Sequence, residues 1–324
     1  MIMDTPTSSF EHKIKFQDSF NNRHVIVITD LEPDDIIAIT LLLKRGNILP
    51  ENLSFIVSAW KDVNTKARYL RKLLTENFLN YANTKIYLGE ASNAKHVLPF
   101  ALGPEEIFPR YRDLNWYNSF IINLAPVREL IALFREDFCF FRECSLAIYG
   151  SFNIRSVIWS DKIKLKELYQ LFDSFDEVIY YETFLATGEK NSISDKGLLD
   201  IIWTRYPFIS ELIEWWNKSI CKECEKNCAE NDPTSDKYLR SKKILDNITE
   251  ETRQFVNADT GLISILLMDN VDRFIHNGNI RFDPENYYTS LKPSGIITNI
   301  KLIKGPDGSL YNQQLQFFTE VLSQ

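Results

Sequence analysis

The residues of this chain best suited to chemistry gather in one short run, Thr29-Asp30-Leu31-Glu32-Pro33-Asp34-Asp35. It follows an apolar, β-branched stretch, His24–Thr29 (HVIVIT), which reads as a buried strand ending at Asp30. Asp34 and Asp35 open the next apolar stretch, which has helical spacing. One carboxylate at a strand end and two at the following helix start place several oxygen donors in a small volume. In open α/β sheets that volume, outside the carboxyl ends of the strands, is where ligands bind. Crowded carboxylates raise one another's pKa unless a cation joins them. Hard divalent ions suit such donors: Ca²⁺ takes about 6–8 oxygens at about 2.3–2.6 Å and tolerates irregular geometry, whereas Mg²⁺ demands stricter octahedral order. Helix capping alone would account for Asp34 and Asp35. It leaves Asp30 and Glu32 unexplained, so the run is read as a divalent-metal site.

The elements that must position this run alternate along the chain. Short β-rich segments at 24–29, 53–59, 85–88, 145–149, 176–181 and 296–303 are separated by helical stretches at 34–44, 64–81, 125–136, 260–268 and 311–322. Such alternation predicts parallel βαβ units. Gly46 is expected to cap the first helix. Residues 90–118, rich in proline and aromatics, read as a long loop of the kind that often serves as a lid. Residues 196–250, helical, aromatic and charged, read as a small cap region within one domain spanning 1–324.

The run Val25–Leu43 (VIVITDLEPDDIIAITLLL) resembles the N-terminal signature of the inosine-uridine nucleoside hydrolase family, a strand ending in DxDPGxDD followed by an apolar helix. The first Asp of that pattern is Ile28 here, the second is Asp30, and the final pair is Asp34-Asp35. Leu31-Glu32 replaces Pro-Gly, with a proline displaced to Pro33. Leu146–Ser156 is similar to the family's strand and turn whose main-chain carbonyl ligates calcium, with Tyr149 nearest that position. Glu177–Glu182 (EVIYYE) stands where the family has its apolar strand and Met-Gly-Gly turn. Asn257–Gly261 resembles the motif that brings the last metal carboxylate, here Asp259.

The resemblance implies an α/β fold with an open, mostly parallel sheet, and a Ca²⁺-dependent hydrolase of N-ribosidic bonds. By that resemblance Asp30, Asp34, Asp35, Asp259 and Tyr149 hold the ion, Asp34 also approaches the ribose hydroxyls, and Asp30 takes the proton from the attacking water. Asp62, Trp60, Glu182, Asn191 and Trp116 are candidate substrate contacts, with Asp62 equally explained as a helix cap. Ala258 stands where the family often has a histidine that serves as leaving-group acid. His96 is a candidate replacement, and Tyr117 and Trp159 are further candidates for stacking on the base. The alternative is therefore a weakened or inactive module that still binds metal and a ribosyl ligand. A haloacid-dehalogenase-type phosphotransferase ranks last, because position 32 is Glu where that chemistry wants DxD.

Composition narrows the partners. The net charge of −7 argues against nucleic acid, which calls for a positive surface. No apolar run approaches the roughly 20 residues of a membrane span, and the polar N-terminus does not read as a secretory signal. The odd count of five cysteines suggests reduced thiols. Cys221, Cys224 and Cys228 lack a fourth ligand at metal-site spacing and read as thiols on a polar loop or helix end. The expectation is a cytoplasmic protein acting on a small ribosyl molecule, with family analogy suggesting a homo-oligomer.

Overall fold

The computed structural model describes residues 23–58, 62–91, 105–150, 165–182, 192–193, 195–247, 255–256, 259–269, 271, 274–277, 280–282, 289–291, 300–303 and 308–324. The first half of the described chain runs β1 (His24–Thr29), α1 (Pro33–Arg45), β2 (Leu53–Val57), α2 (Val63–Asn77), β3 (Lys85–Leu88), β4 (Ser119–Asn123), α3 (Arg128–Glu136), β5 (Ser145–Gly150), α4 (Leu165–Asp173) and β6 (Glu177–Glu182). The second half runs β7 (Ser192–Ile193), α5 (Lys196–Arg205), α6 (Pro207–Glu230), α7 (Asp236–Asn247), β8 (Phe255–Val256), α8 (Asp259–Leu267), β9 (Ile275–Asn277), β10 (Ile280–Phe282), β11 (Thr289–Leu291), β12 (Ile300–Ile303) and α9 (Gly308–Ser323).

Eight strands form one sheet in the order β3-β2-β1-β4-β5-β6-β12-β9. All neighbours are parallel except β12 and β9. The chain moves outward from β1 to β3, then returns to lay β4 on the other side of β1. That reversal opens a crevice at the carboxyl ends of β1 and β4, the place where doubly wound sheets bind ligands.

The central strands are apolar along their whole length because both faces are covered. Val25 and Val27 pack with α1, α2, α8 and α9, while Ile26 and Ile28 point to the opposite face, packed with α3 and α4. Ile28, the family's first Asp position, is therefore a core residue. The segment 196–250 contains α5, α6 and α7. Leu198, Ile202, Ile209, Leu212 and Ile213 join the main core, so α5 and the first turns of α6 belong to the body of the domain. Cys221, Cys224 and Cys228 lie on the last turns of α6, not on a loop, with Cys224 buried; all five cysteines are free thiols.

One local expectation needs correction: the fourth parallel strand is Ser119–Asn123, in the gap left between the expected loop at 90–118 and the expected helix at 125–136. Gly46 is the C-cap of α1 as expected, in right-handed geometry, and the left-handed residue is Asn47 (φ 50°). Asparagine tolerates that region better than most residues. Among the described residues no helix is long and apolar enough to cross a membrane.

Candidate metal centre and active site

The β1–α1 turn is built by its own side chains. Thr29 Oγ1 accepts a hydrogen bond from Leu31 N at 3.0 Å. Leu31 holds φ at 55°, a left-handed conformation costing a residue with a Cβ about 1–2 kcal/mol. Glu32 is the N-cap of α1, Pro33 occupies the first turn, and Glu32 N donates to Asp35 Oδ2 at 2.9 Å. Capping thus uses one oxygen of Asp35. Its other oxygen, Oδ1, is buried without a hydrogen-bond partner.

Asp259 arrives from far along the chain. It begins α8, whose apolar length packs along α1, and Thr260 Oγ1 donates to Asp34 O at 3.4 Å across 226 residues of sequence. Asp259 Oδ1 is also buried and unpartnered. The four aspartates meet in two side-chain pairs, Asp30 with Asp35 and Asp34 with Asp259. Burial, then the charges of Asp35 and Asp34, push Asp259 well above the usual carboxylate range. Burial followed by the charge of Asp30 does the same to Asp35 and to Glu32. Asp34 is pushed up to about 6 by burial, opposed by its hydrogen bond with Asp259.

Two carboxyl groups brought together out of water require a shared proton or a cation between them. Among the described residues no three His, Cys, Asp or Glu side chains stand in position to hold one ion as they are placed. The donor chemistry nevertheless fits a hard cation: all four groups are carboxylates, and two buried oxygens lack a partner.

Tyr149 lies beside the centre through its ring. Burial and the charges of Asp259, Asp34, Asp30 and Asp35 hold its hydroxyl well above the ordinary tyrosine value. Its strand, β5, is separated from β1 by β4, whose end is tied to β1 by Leu124 N donating to Ile28 O at 2.8 Å. The main chain nearest the Asp30 turn on that side is therefore Asn123–Leu124.

The other sequence candidates divide. Asp62 is the N-cap of α2, accepting from Thr65 N at 3.0 Å. Trp116 precedes β4 at the amino edge of the sheet, opposite the Asp30 edge. It is buried against Phe140 and Phe141 with its Nε1 donating to Tyr111 O, so it does not reach a ligand at Asp30. Tyr117, next to it on the same edge, is exposed. The backbone of Glu182 ends β6 at the carboxyl edge. Trp60, His96, Trp159, Asn191 and Ala258 lie outside the described residues.

Two buried charged residues beside the centre carried no signal in the sequence. Lys66, on the first turns of α2, is 1% exposed; its Nζ donates to Asp30 O and, at 3.4 Å, to Leu31 O. Burial pulls it down to about 7 against the charges of Asp30, Glu32 and Asp35. Glu129, on the first turn of α3, is fully buried. Its Oε1 accepts from Ser58 Oγ at 2.5 Å and Glu90 N at 2.7 Å, while Oε2 has no partner. Burial pushes its carboxyl up to about 7. Only the Lys or Glu at these positions is visible in the sequence; that they are buried follows from how the strands assemble.

The chain matches no protein-family model, and its sequence matches no curated protein. Its structure is similar to a plant nucleoside hydrolase at 14% identity, TM-score 0.60, over 92% of this chain and 98% of that one. It is similar to a purine-preferring ribonucleoside hydrolase from Gardnerella vaginalis at 12% identity, TM-score 0.56, over 92% and 98% of the two chains. The type III effector protein XopQ, solved with adenosine diphosphate ribose, aligns at 9% identity, TM-score 0.59, over 95% and 96%. Near-complete mutual coverage at TM-scores of 0.56–0.60 shows that the chain has the fold of the nucleoside hydrolases.

Proposed function

We propose that the protein is a divalent-metal-dependent hydrolase, with Ca²⁺ the preferred ion, that cleaves N-ribosidic bonds of nucleosides or related ribosyl compounds. The observation that carries this reading is the meeting of Asp259 with Asp34 beside the Asp30–Asp35 pair, at the sheet reversal of a nucleoside hydrolase fold. Asp30, Asp34, Asp35 and Asp259 would hold the ion, with main-chain oxygen from the neighbouring strand ends. When bound, such an ion lowers the pKa of a coordinated water and orients vicinal hydroxyls.

The chain's own groups supply the rest. Asp30, at the strand end and partly open to solvent, takes the proton from the attacking water as general base. Asp34 accepts from a ribose hydroxyl at the crevice. Water adds to the anomeric carbon as the bond to the base breaks, and the departing base takes a proton. Asp62 and Glu182, at the carboxyl edge, and Trp60 and Asn191 are the remaining candidate substrate contacts. Adenosine diphosphate ribose, the ligand in the XopQ complex, extends the class to be tested to ribosyl diphosphates.

The decisive assay measures ribose or free-base release from a panel of purine and pyrimidine nucleosides and adenosine diphosphate ribose, with calcium and with chelator. Calcium-dependent release that falls by about 10²–10⁴ in Asp30→Asn supports the proposal. Ala258, in place of the family's histidine, favours a second reading, a module that binds a ribosyl ligand without turnover. Ligand binding in calorimetry with no release from any substrate selects that reading.

A further inference from the structure

Lys66 brings its ammonium group to the turn that carries Asp30. The side chain crosses from α2 over the end of β2 to the turn after β1, where it donates to both Asp30 O and Leu31 O. Asp30, Glu32 and Asp35 all act on it electrostatically. An ammonium this deeply buried is tolerated only when paired and hydrogen-bonded. The same contact has a second effect: it holds the carbonyls on either side of the strained Leu31 peptide while Thr29 Oγ1 holds Leu31 N. Among the described residues the carboxylates stand in two pairs, with no three grouped to grip one ion.

We propose that Lys66 is the resident counter-ion of the acidic centre, competing with a divalent cation for its carboxylates while fixing the turn that carries Asp30. This inference rests on the reading of the four aspartates as the ion-binding set. Its consequence is a centre that folds without metal and binds a divalent ion more weakly than its carboxylates alone would. Removing the ammonium leaves carboxylates that protons or an added cation must compensate.

The test is calcium binding by calorimetry, with thermal melts in chelator and in calcium, for wild type, Lys66→Arg, Lys66→Met and the double variant Glu32→Gln/Lys66→Met. Two like charges a few ångströms apart in a medium of intermediate dielectric predict calcium affinity raised by roughly tenfold or more in Lys66→Met. Lys66→Arg is expected to stay within a few-fold of wild type. The calcium-induced rise in melting temperature should likewise be larger in Lys66→Met than in wild type. The double variant should fold in chelator better than Lys66→Met.

Wild type that binds calcium while Lys66→Met binds it no more tightly overturns the inference and leaves the metal reading intact. Wild type that binds none while Lys66→Met does supports the role of Lys66 and sinks the metal reading of the native centre. Binding by neither overturns both. Failure of Lys66→Met and the double variant to fold even in saturating calcium also overturns the inference, since a divalent ion would then be unable to replace the ammonium.

Discussion

Glu129→Gln should make the protein more stable in neutral and alkaline solution and leave it unchanged in acid. Glu129 lies beneath the ends of β2 and β3, accepting from Ser58 Oγ and Glu90 N through one oxygen while the other has no partner. Burial raises its carboxyl from 4.5 to about 7. The native state therefore binds a proton that the unfolded chain releases over this interval, so stability falls as pH rises through it. The interval spans about 2.5 units, and at about 1.4 kcal/mol per unit the loss is about 3 kcal/mol by the upper end. Glutamine keeps the accepting oxygen and cannot ionise. Its amide nitrogen takes the place of the carboxyl O–H, so the comparison in acid is between two neutral groups of one shape. Urea denaturation at about pH 5, 6, 7 and 8 gives the difference between variant and wild type directly, with every other titrating group cancelling. The difference should be no more than about 1 kcal/mol at the lowest pH and grow towards about 3 kcal/mol at the highest. A difference independent of pH, or a variant less stable at the alkaline end, would refute the buried-acid argument.

Asp34 gives a second, separable pH effect. In chelator its rise from 3.8 to about 6 means that stability is lost as pH climbs through that window, by about 3 kcal/mol if the group acted alone; saturating calcium, which favours the ionised form, should flatten that fall in melting experiments. Asp259→Asn should abolish most of the calcium-induced rise in melting temperature and raise stability in chelator, because it removes one of two paired buried carboxyls. Gly89→Ala should destabilise by about 1–3 kcal/mol in urea titrations, since a Cβ there would run into Glu129 Oε1 and lie 3.0 Å from Val57 O. Gly261→Ala should cost a similar amount, about 1–3 kcal/mol, because its Cβ would lie 2.7 Å from the ring of Tyr181.

The parts of this architecture that could be read in advance are those governed by local pattern. HVIVIT must be a doubly covered strand, the apolar period after Asp34 must be a helix, and an Asp opening the apolar run at 259 sits at a helix start. The strand Ser119–Asn123 was hidden because its five residues follow an aromatic, proline-bearing stretch and run directly towards Pro126 and α3. Trp116 suggested a binding loop by its surroundings, yet its position before β4 puts it at the far edge of the sheet. Lys66 and Glu129 could not be recognised, because a lysine or glutamate in a first helical turn is ordinarily solvated. Only the assembled strands show that each is enclosed.

The tie between Asp34 and Thr260 has a bearing on how the polypeptide acquires its fold. A ribosome-bound fragment ending before α8 would already own the β1 turn but lack the carboxyl that completes the cluster, as well as the helix that shields it. Contacts that close so large a loop form late and slowly. The acidic crevice is thus complete only when the last fifth of the chain docks, so that an intermediate without α8 would leave Asp34 without its partner carboxyl and offer a divalent ion fewer donors.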